Sequence, residues 1–348
     1  MRIFLTGGTG FIGQRLTKAL VAQGWDVVAL VRKPNAPQAC ALTQFGAQCV
    51  RGDVTDRGSM SVPMGDADVV IHNAGHYEFG LNAAGKRRMQ AVNVGGTDNV
   101  LGLALALGVR RVIYVSTVLA LGDSGPRIRD ETFERVSPCR TTYERTKTEA
   151  HAIAREYQRR GLPMVIICPN AVIGANDHSV FGYFLRLYVN RMMPPMAWCP
   201  KTMFSAVEVD DLARGITLAV DRARPGETYF FAGEPKSFRE HFGIWAKKPG
   251  AFRVRVWLPP SLMRLAFWPL ESLQRAAGLP AFMSRETVSA GATNLYYASE
   301  KAKQELGWTH RTAEEMWFKT VEGELELLQK RKKRDLVSRL NPVEGDGE

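Results

Sequence analysis

The sequence predicts an α/β fold in which a doubly wound parallel sheet occupies the first half of the chain. Short runs of β-branched and other apolar residues alternate with segments of helical periodicity through the first two hundred residues. The apolar runs are continuous rather than alternating, as expected for strands that are covered by helices on both faces. Glycines at positions 24, 108 and 161 end helical segments just before a strand, which is a typical helix stop signal.

Each element follows from this alternation. Strands are predicted over 2–7, 25–32, 48–52, 67–75, 111–117 and 163–170, and helices over 11–24, 93–108 and 143–161. Beyond about 174 the alternation stops, and Pro, Met, Trp and Phe become frequent. We therefore expect a first domain over 1–174, to which segments around 203–232 return. A smaller α/β region over 175–328 and a charged tail without regular structure over 329–348 should follow.

Composition and charge narrow the function classes. The 348 residues are 45% hydrophobic and 23% charged, which is typical of globular proteins and excludes fibrous and wholly disordered chains. Lys and Arg number 46 against 35 Asp and Glu, a net charge of +11 that favours anionic partners such as phosphorylated cofactors or lipid headgroups. The basic residues are dispersed except near 330–334 and have no accompanying stacking aromatics, so nucleic acid is not an expected partner.

Cysteine and histidine usage predicts neither disulfides nor a metal site. The five cysteines are scattered without a CxxC pair, and the histidines lack metal-ligand spacing. The chain opens directly into a strand and contains no long uncharged apolar stretch. We expect a cytoplasmic protein.

A glycine-rich turn predicts a dinucleotide site. TGGTGFIG, from Thr6 to Gly13, follows the first strand and opens the first helix. Gly7 would permit a tight turn, Gly10 the approach of a pyrophosphate to the backbone, and Gly13 close packing of helix on strand. The helix N-terminus would offer free N–H groups to the phosphates.

The end of the second strand indicates which dinucleotide. In such sites a carboxylate there accepts a hydrogen bond from the ribose 2′-hydroxyl, whereas an arginine accommodates a 2′-phosphate. Arg32 and Lys33 stand at this position without a carboxylate, so NADP is favoured over NAD. Asp53, after the third strand, could accept a hydrogen bond from the adenine amino group or could close an Asx turn.

Two further segments predict acid/base chemistry. Tyr143 and Lys147 lie one helical turn apart on a predicted helix, so that both side chains share a face. A neighbouring ammonium stabilises a phenolate and so suits a tyrosine to proton transfer. Ser116 and Thr117 end a strand, where their hydroxyls could bind a substrate oxygen.

These segments together resemble the extended short-chain dehydrogenase/reductase family, which includes NAD-dependent epimerases and dehydratases. The motifs that carry the resemblance are TGGTGFIG at 6–13, GDVTD at 52–56, HNAG at 72–75, NVGGTDNVL at 93–101, VST at 115–117, YERTK at 143–147 and CPNAVIG at 168–174. They occur in the family's order and cover about half of the chain, and later segments also look like the family's C-terminal half. The resemblance implies a Rossmann-type dinucleotide-binding domain over 1–174 and a mainly substrate-binding region over 175–328.

The resemblance also implies roles for individual residues. Tyr143 would be the catalytic acid/base, Lys147 would bind the nicotinamide ribose and lower the tyrosine pKa, and Thr117, or less favourably Ser116, would orient the substrate oxygen. The implied cofactor-binding residues are Thr6, Gly7, Gly10, Phe11, Ile12, Gly13, Arg32, Lys33, Asp53, Val54, Asn73, Ala74, Gly75, Asn93, Lys147, Pro169 and Val172. A homodimer through the helices that carry NVGGT and YERTK is a further implication.

Several positions distinguish the branches of this family. The 4,6-dehydratases carry an Asp-Glu pair after the catalytic threonine, where this chain has Val118 and Leu119. Galactose-type epimerases place a tyrosine where Leu121 stands and an asparagine where Ala171 stands, although Asn170 is one residue away. What remains is similar to the dihydroflavonol reductase and 3β-hydroxysteroid dehydrogenase branch. That branch often has arginine at the position of Cys168, so a substrate contact or ion pair made by that arginine would be missing here.

We therefore expect an NADP(H)-dependent oxidoreductase that interconverts a ketone or aldehyde and an alcohol on a mainly apolar small molecule. An NAD-dependent sugar-nucleotide epimerase and a non-catalytic dinucleotide-binding regulator remain the alternatives. The segment 257–283 mixes prolines, bulky apolar residues and a few charges. It fits a helical lid over a lipophilic pocket, ordinary helical core, or an amphipathic helix in peripheral contact with a membrane.

Overall fold

The computed structural model describes residues 1–190, 192, 195–247, 253–277, 281 and 283–340, with side chains throughout except at 180 and 331–340. Its strands in chain order are β1 (Arg2–Thr6), β2 (Asp26–Val31), β3 (Gln48–Arg51), β4 (Val69–His72), β5 (Arg111–Val115), β6 (Met164–Pro169), β7 (Val172–Ile173), β8 (Met196–Trp198), β9 (Met203–Phe204), β10 (Val207–Glu208), β11 (Thr228–Phe231), β12 (Lys236–Ser237) and β13 (Val256–Leu258). All of the strands predicted over the first 170 residues are present, with ends up to a few residues shorter.

A seven-stranded sheet organises the chain, in the order β11-β6-β5-β4-β1-β2-β3. Every neighbouring pair in it is parallel. The chain leaves β1 toward β2 and β3, then crosses back to β4 on the other side of β1. This is the doubly wound arrangement, and its ligand crevice lies at the carboxyl ends of the strands where the order reverses. The predicted Rossmann-type α/β fold is confirmed.

Helices cover both faces of this sheet. They are α1 (Phe11–Ala22), α2 (Pro37–Gln44), α3 (Gly58–Gly65), α4 (Ala83–Gln90), α5 (Gly96–Ala106), α6 (Thr142–Arg159), α7 (Val180–Val189), α8 (Val209–Arg222), α9 (Phe238–Trp245), α10 (Pro260–Ala276), α11 (Arg285–Gly291), α12 (Glu300–Leu306) and α13 (Ala313–Leu340). A π-helical turn, Ala91–Gly95, joins α4 to α5, and a short 3₁₀ turn, Val118–Ala120, follows β5.

Helices α2, α3 and α4 are absent from the sequence-based prediction. Each is eight residues long, and α3 contains Pro63. Helices this short carry little periodic signal, so tertiary contacts decide their formation. The predicted stop signals are confirmed, because Gly24, Gly108 and Gly161 all adopt positive φ after α1, α5 and α6.

Two apolar layers form the core of the main sheet. On one face, Ile3 and Leu5 of β1 pack with Leu16 and Leu20 of α1. On the other face, Phe4 packs in a separate cluster that includes residues of α3, α5 and α6. Neighbouring side chains of one strand thus enter different layers, which is the physical reason for the continuous apolar runs in the sequence.

The remaining elements build a smaller region beside the carboxyl ends of the strands. β7 pairs with β10, β8 with β13, and β9 with β12. A third core, rich in aromatic rings, joins α7, α9 and α13. The chain returns to the main sheet through α8, which packs against α1, and through β11 at its edge.

Helix α13 continues to Leu340, into the stretch for which the sequence predicted a charged tail without regular structure. Residues 341–348 of that tail lie outside the described residues. None of the helices in the described part of the chain is both long and apolar enough to span a bilayer.

Candidate active site

A cavity of about 790 Å³ opens at the carboxyl ends of the parallel strands. The glycine turn, the ends of β2 and β4 and the segments after β3, β5 and β6 all contribute to its wall. The rest of the wall comes from the C-terminal region, and its aromatic residues are Phe181, Phe184, Tyr188, Trp198, Phe204, Phe238, Phe242 and Trp245. A polar half and an apolar half thus share one continuous space.

Close packing explains two glycines of the turn. Gly7 has φ +73°, and a Cβ there would lie 2.7 Å from the Ala74 backbone. A Cβ on Gly13 would lie only 2.0 Å from the Gly7 carbonyl oxygen. At Gly10 the nearest atom is that same oxygen at 3.3 Å, and the residue lines the cavity. The first and third glycines therefore shape the turn, and the second leaves its backbone open to a ligand.

The start of α1 fits an anionic group. No side chain caps its N-terminus at Gly10, and its first turn carries no acidic residue. Phe11 and Ile12, whose N–H groups begin the helix, both line the cavity. A helix N-terminus of this kind binds phosphate oxygens through free N–H groups and the positive end of the helix dipole. The residues present thus fit the pyrophosphate of a dinucleotide.

The neighbouring strand ends complete the dinucleotide half of the cavity. Arg32 follows β2, is exposed and lines the cavity, and it forms no ion pair with any residue that the structure describes. Val54 also lines the wall. Asp53 does so while its Oδ1 accepts hydrogen bonds from the backbone N–H and the hydroxyl of Thr55, both at 2.9 Å. Of the two interpretations of Asp53, the Asx turn is present.

The end of β4 is tied to the glycine turn. Asn73 donates from Nδ2 to the Gly7 carbonyl at 3.3 Å, and it lines the cavity with Ala74 and Gly75. His72 lies behind them, buried between the Thr6 and Thr97 hydroxyls at 2.8 and 3.1 Å. Burial lowers the pKa of His72 to about 3, so this imidazole is neutral at neutral pH.

Tyr143 is in the first turn of α6 and lines the cavity. The Tyr77 ring meets its ring edge-on, with centroids 4.6 Å apart, and the Phe79 ring lies 6.4 Å away. This apolar surrounding raises the pKa of the Tyr143 phenol above its usual value. The phenol is therefore protonated at neutral pH and can act as a proton donor.

Lys147 lies one turn further along α6 and is buried. Its Nζ donates to the Val115 carbonyl at 3.2 Å and lies 5.3 Å from the centre of the Tyr114 ring. Burial lowers the pKa of Lys147 to about 8. Burial is the cause of the raised Tyr143 pKa, while the Lys147 ammonium is bound to a backbone carbonyl. The lowering of the Tyr143 pKa by Lys147 stays a prediction.

The hydroxyls after β5 differ in their surroundings. Ser116 is buried, and its Oγ lies 2.9 Å from Nδ1 of His151. Thr117 accepts a hydrogen bond from the Leu119 N–H at 3.2 Å, which caps the 3₁₀ turn. Both residues line the cavity. Since burial also lowers the pKa of His151 to about 4, the Ser116 hydroxyl faces a neutral ring.

Five predicted site residues do not line the cavity: Thr6, Gly13, Lys33, Asn93 and Lys147. Thr6 and Gly13 support the turn from behind, and Lys33 is exposed elsewhere. Asn93 is buried, where its side chain bonds the backbone of His76 at 2.6 and 3.0 Å and the Thr146 hydroxyl at 3.0 Å. It joins the segment after β4 to α6.

Other residues line the cavity without having been predicted from the sequence. Arg88 on α4 is a second cation in the wall, and Tyr77 lies against Tyr143. The aromatic wall comes from segments far apart in the chain, for which only the enrichment in Phe and Trp after about 174 was a signal. In the residues that the structure describes, no cluster of three or more His, Cys, Asp or Glu side chains could hold a metal ion.

Comparison with known proteins agrees with this geometry. The model of the NAD dependent epimerase/dehydratase family matches residues 3–232. The chain is 30% identical over 316 residues to a Synechocystis sp. protein named "Putative dihydroflavonol 4-reductase", covering 87% of this chain and 89% of that one. It is 29% identical over 319 residues to a 4-hydroxy-2-methyl-3-oxo-4-farnesyl-3,4-dihydroquinoline-1-oxide ketoreductase of Stigmatella aurantiaca, covering 89% and 92%.

The fold is likewise similar to solved structures. A dTDP-glucose 4,6-dehydratase of Streptomyces venezuelae, solved with NAD bound, superposes with a TM-score of 0.75 at 24% identity, covering 94% of this chain and 97% of that one. The resemblance seen in the motifs is confirmed. The chain belongs to the NAD-dependent epimerase/dehydratase family and is an NAD(P)-dependent enzyme of the extended short-chain dehydrogenase/reductase type.

Proposed function

We propose that this enzyme is an NADP(H)-dependent oxidoreductase that interconverts a ketone or aldehyde and the corresponding alcohol on a mainly apolar molecule. The observation that carries the proposal is the composition of the cavity. Tyr143 and Thr117 face the same space as eight aromatic side chains of the C-terminal region, which form a large apolar surface suited to rings or hydrocarbon chains. The named ketoreductase relative, which acts on a farnesylated ring system, supports an apolar ketone.

The positions at which dehydratases and epimerases carry catalytic or sugar-binding side chains also favour an apolar substrate. Val118 and Leu119 have hydrocarbon side chains, so no acid and base follow Thr117 for a dehydration. Asn170 cannot replace the asparagine absent at Ala171 without giving up its present bonds. Its Nδ2 donates to the Leu295 carbonyl at 2.8 Å, and its Oδ1 accepts from the Ala171 N–H at 2.7 Å.

In the proposed reduction, Tyr143 donates its phenolic proton to the substrate oxygen as the carbonyl carbon receives hydride. Its high pKa keeps that proton in place at neutral pH until negative charge develops on the oxygen. The Thr117 hydroxyl donates a second hydrogen bond to this oxygen, and the aromatic wall excludes water. A nicotinamide bound in this cavity would supply or accept the hydride. Lys147 lies behind the cavity wall on α6, so its Nζ would have to leave the Val115 carbonyl to hold the ribose. Arg32 would bind the 2′-phosphate that distinguishes NADP from NAD.

Replacement of Tyr143 by phenylalanine tests the assignment. We expect Tyr143→Phe to lower turnover of NADPH with apolar ketones by about a hundredfold or more, with the NADPH dissociation constant unchanged, because only the proton donor is lost. Tyr296→Phe is the matched control, since Tyr296 is half-buried and outside the cavity. Unchanged turnover in Tyr143→Phe would contradict the role of this residue.

Cofactor analysis of the purified enzyme distinguishes the proposed oxidoreductase from an epimerase. An epimerase returns its hydride to the substrate, so it would retain NAD through purification and consume no NADPH. We expect instead that the purified enzyme oxidises NADPH in proportion to the ketone consumed. Retained NAD without net NADPH oxidation would refute the proposal, and binding of the cofactor without turnover on any carbonyl tested would favour the regulator.

A further inference from the structure

Helix α10 exposes an apolar face. Exposed fractions are 46% at Leu262, 67% at Leu265, 59% at Trp268 and 67% at Leu273. We define the apolar face as the exposed residues Leu262, Leu265, Ala266, Trp268, Pro269, Leu270 and Leu273. Because residues three or four apart share one side of a helix, these positions form a continuous strip. No charged residue lies within the strip.

The opposite side of α10 is firmly packed. Met263 and Phe267 are buried in a small core with Val288 of α11. The Phe267 ring also meets Trp198 edge-on, with centroids 5.6 Å apart, and Trp198 lines the large cavity. The helix is thus anchored to the wall of the cavity, and its exposed face is not explained by the core.

A second cavity, of about 420 Å³, lies on the side of α10 that carries Arg264 and Arg275, next to the apolar face. We call it the cationic pocket, and its charged lining residues are Lys86, Arg140, Arg264, Arg275, Arg285, Glu271 and Glu286. Arg264 is one helical turn before Trp268, so the row of cations on α10 runs alongside the apolar strip.

Both carboxylates of the cationic pocket already form ion pairs or hydrogen bonds within the protein. Glu271 pairs with Arg275 at 2.6 Å and Arg285 at 3.5 Å. The carboxylate of Glu286 accepts hydrogen bonds from residues outside this set. Among the residues that the structure describes, Arg264 and Lys86 pair with no acidic side chain. The pocket thus keeps an excess of positive charge beside an uncharged apolar surface.

We propose that the apolar face and the cationic pocket together form a docking surface for an anionic lipid bilayer. The helix would lie in the plane of the interface, with Leu265, Trp268 and Leu273 among the acyl chains. The guanidinium of Arg264 and the ammonium of Lys86 would contact lipid phosphates. An uncharged strip next to a cationic row matches the layering of a bilayer, in which the acyl region lies beside anionic phosphates. The net charge of +11 adds long-range attraction to the same surface.

Vesicle sedimentation with the full-length protein tests this proposal, and it needs no substrate, so its result is independent of the proposed reaction. We expect binding to vesicles of phosphatidylcholine mixed with phosphatidylglycerol, weaker binding to pure phosphatidylcholine, and a decrease with added salt. In Leu265→Gln and Leu273→Gln the partition coefficient should fall by about tenfold for each leucine, because each change removes one buried apolar side chain. Val62→Gln is the matched control, since Val62 is 84% exposed on α3, a helix that lines neither cavity.

Two further variants test whether Arg264 and Lys86 contact the lipid phosphates. Arg264→Gln and Lys86→Gln should each weaken binding to the mixed vesicles by about fivefold and reduce the salt dependence. Lipids brominated on the acyl chain should quench tryptophan fluorescence of the bound protein, and less so in Trp268→Phe, if the helix enters the acyl region.

Two outcomes would contradict docking of this surface on a bilayer. Absence of binding to both kinds of vesicle would do so, as would an equal loss of binding in Val62→Gln and Leu265→Gln. A dimer in sedimentation velocity that the two leucine changes dissociate, together with no vesicle binding, would instead show that this face joins two copies of the chain.

Discussion

Arg32 and Lys33 are adjacent in the sequence, yet the fold gives them different surroundings. Arg32 lies at the wall of the cavity where the ribose of a dinucleotide would bind, whereas Lys33 is exposed outside that wall. Successive residues at a strand end point in different directions, so only one of two neighbouring cations can reach a given ligand.

We predict that Arg32→Ala raises the dissociation constant of NADPH by about tenfold or more, through loss of a charge-assisted hydrogen bond to the 2′-phosphate. The NADH dissociation constant should be unchanged. Fluorescence titration measures both, and Lys33→Ala serves as the neighbouring control. Equal weakening of both cofactors in Arg32→Ala would contradict this role.

At the scale of elements, one carboxylate connects the helix that carries Tyr143 to two other segments. Glu286 on α11 accepts from the N–H and hydroxyl of Thr142, at 3.0 and 2.9 Å, and from the Gly80 N–H at 2.9 Å. Thr142 begins α6, where a negative charge also interacts favourably with the helix dipole.

We predict that Glu286→Ala lowers the free energy of unfolding by about 2 kcal/mol, because three donors lose their acceptor. Turnover should fall as well, since the first turn of α6 positions Tyr143. Urea denaturation and steady-state kinetics provide the two measurements. Glu134→Ala, at an exposed carboxylate 3.6 Å from Arg155, should change neither. Full stability in Glu286→Ala would show that this connection contributes little.

The turn between β1 and α1 gives a second prediction at this scale. In Gly13→Ala the new Cβ would overlap the Gly7 carbonyl oxygen, which is backbone and cannot rotate away. We expect a loss of about 3 kcal/mol or more in unfolding free energy and weaker NADPH binding, because the turn must open. Gly243→Ala in α9 has no atom within 4 Å of the new Cβ and should be neutral or stabilising by about 1 kcal/mol at most. Equal effects of the two changes would contradict the packing argument.

At the scale of the whole molecule, three buried histidines couple stability to pH. Burial lowers the pKa of His72 to about 3 and those of His151 and His241 to about 4, from an ordinary value of 6.5. His241 accepts from the Trp317 indole N–H at 2.7 Å, which requires an unprotonated Nδ1. Below pH 6.5 the unfolded chain therefore binds protons that the folded chain does not.

We predict that stability decreases as pH falls from about 6.5 to about 4, by about 1 kcal/mol per pH unit for each histidine. Urea denaturation at pH 7.5 and pH 5 measures this decrease. His241→Gln should show a smaller decrease than the wild type, and His178→Gln, at an exposed position, should match the wild type. Identical decreases in the wild type and His241→Gln would contradict the assignment of that proton.

The division of the chain into two regions at residue 174 and the homodimer remain predictions.

The sequence by itself determined the parallel strands, the helix stops, the glycine turn and the family. These are local signals: periodicity reports burial on two faces, positive φ favours glycine, and Tyr143 and Lys147 share a helix face through their spacing alone. The positions of Arg32, Tyr143 and Thr117 at one cavity follow from this order, since the carboxyl ends of parallel strands meet at one edge.

Only the tertiary structure decided what surrounds those residues. Burial raises the pKa of Tyr143, Asn93 joins two segments, and the aromatic wall is assembled from elements distant in the chain. The apolar run in 257–283 was compatible with lid, core or membrane surface, and the packing of α10 showed which side is exposed. Desolvation and long-range contacts depend on which elements meet, and a linear sequence carries no direct record of that.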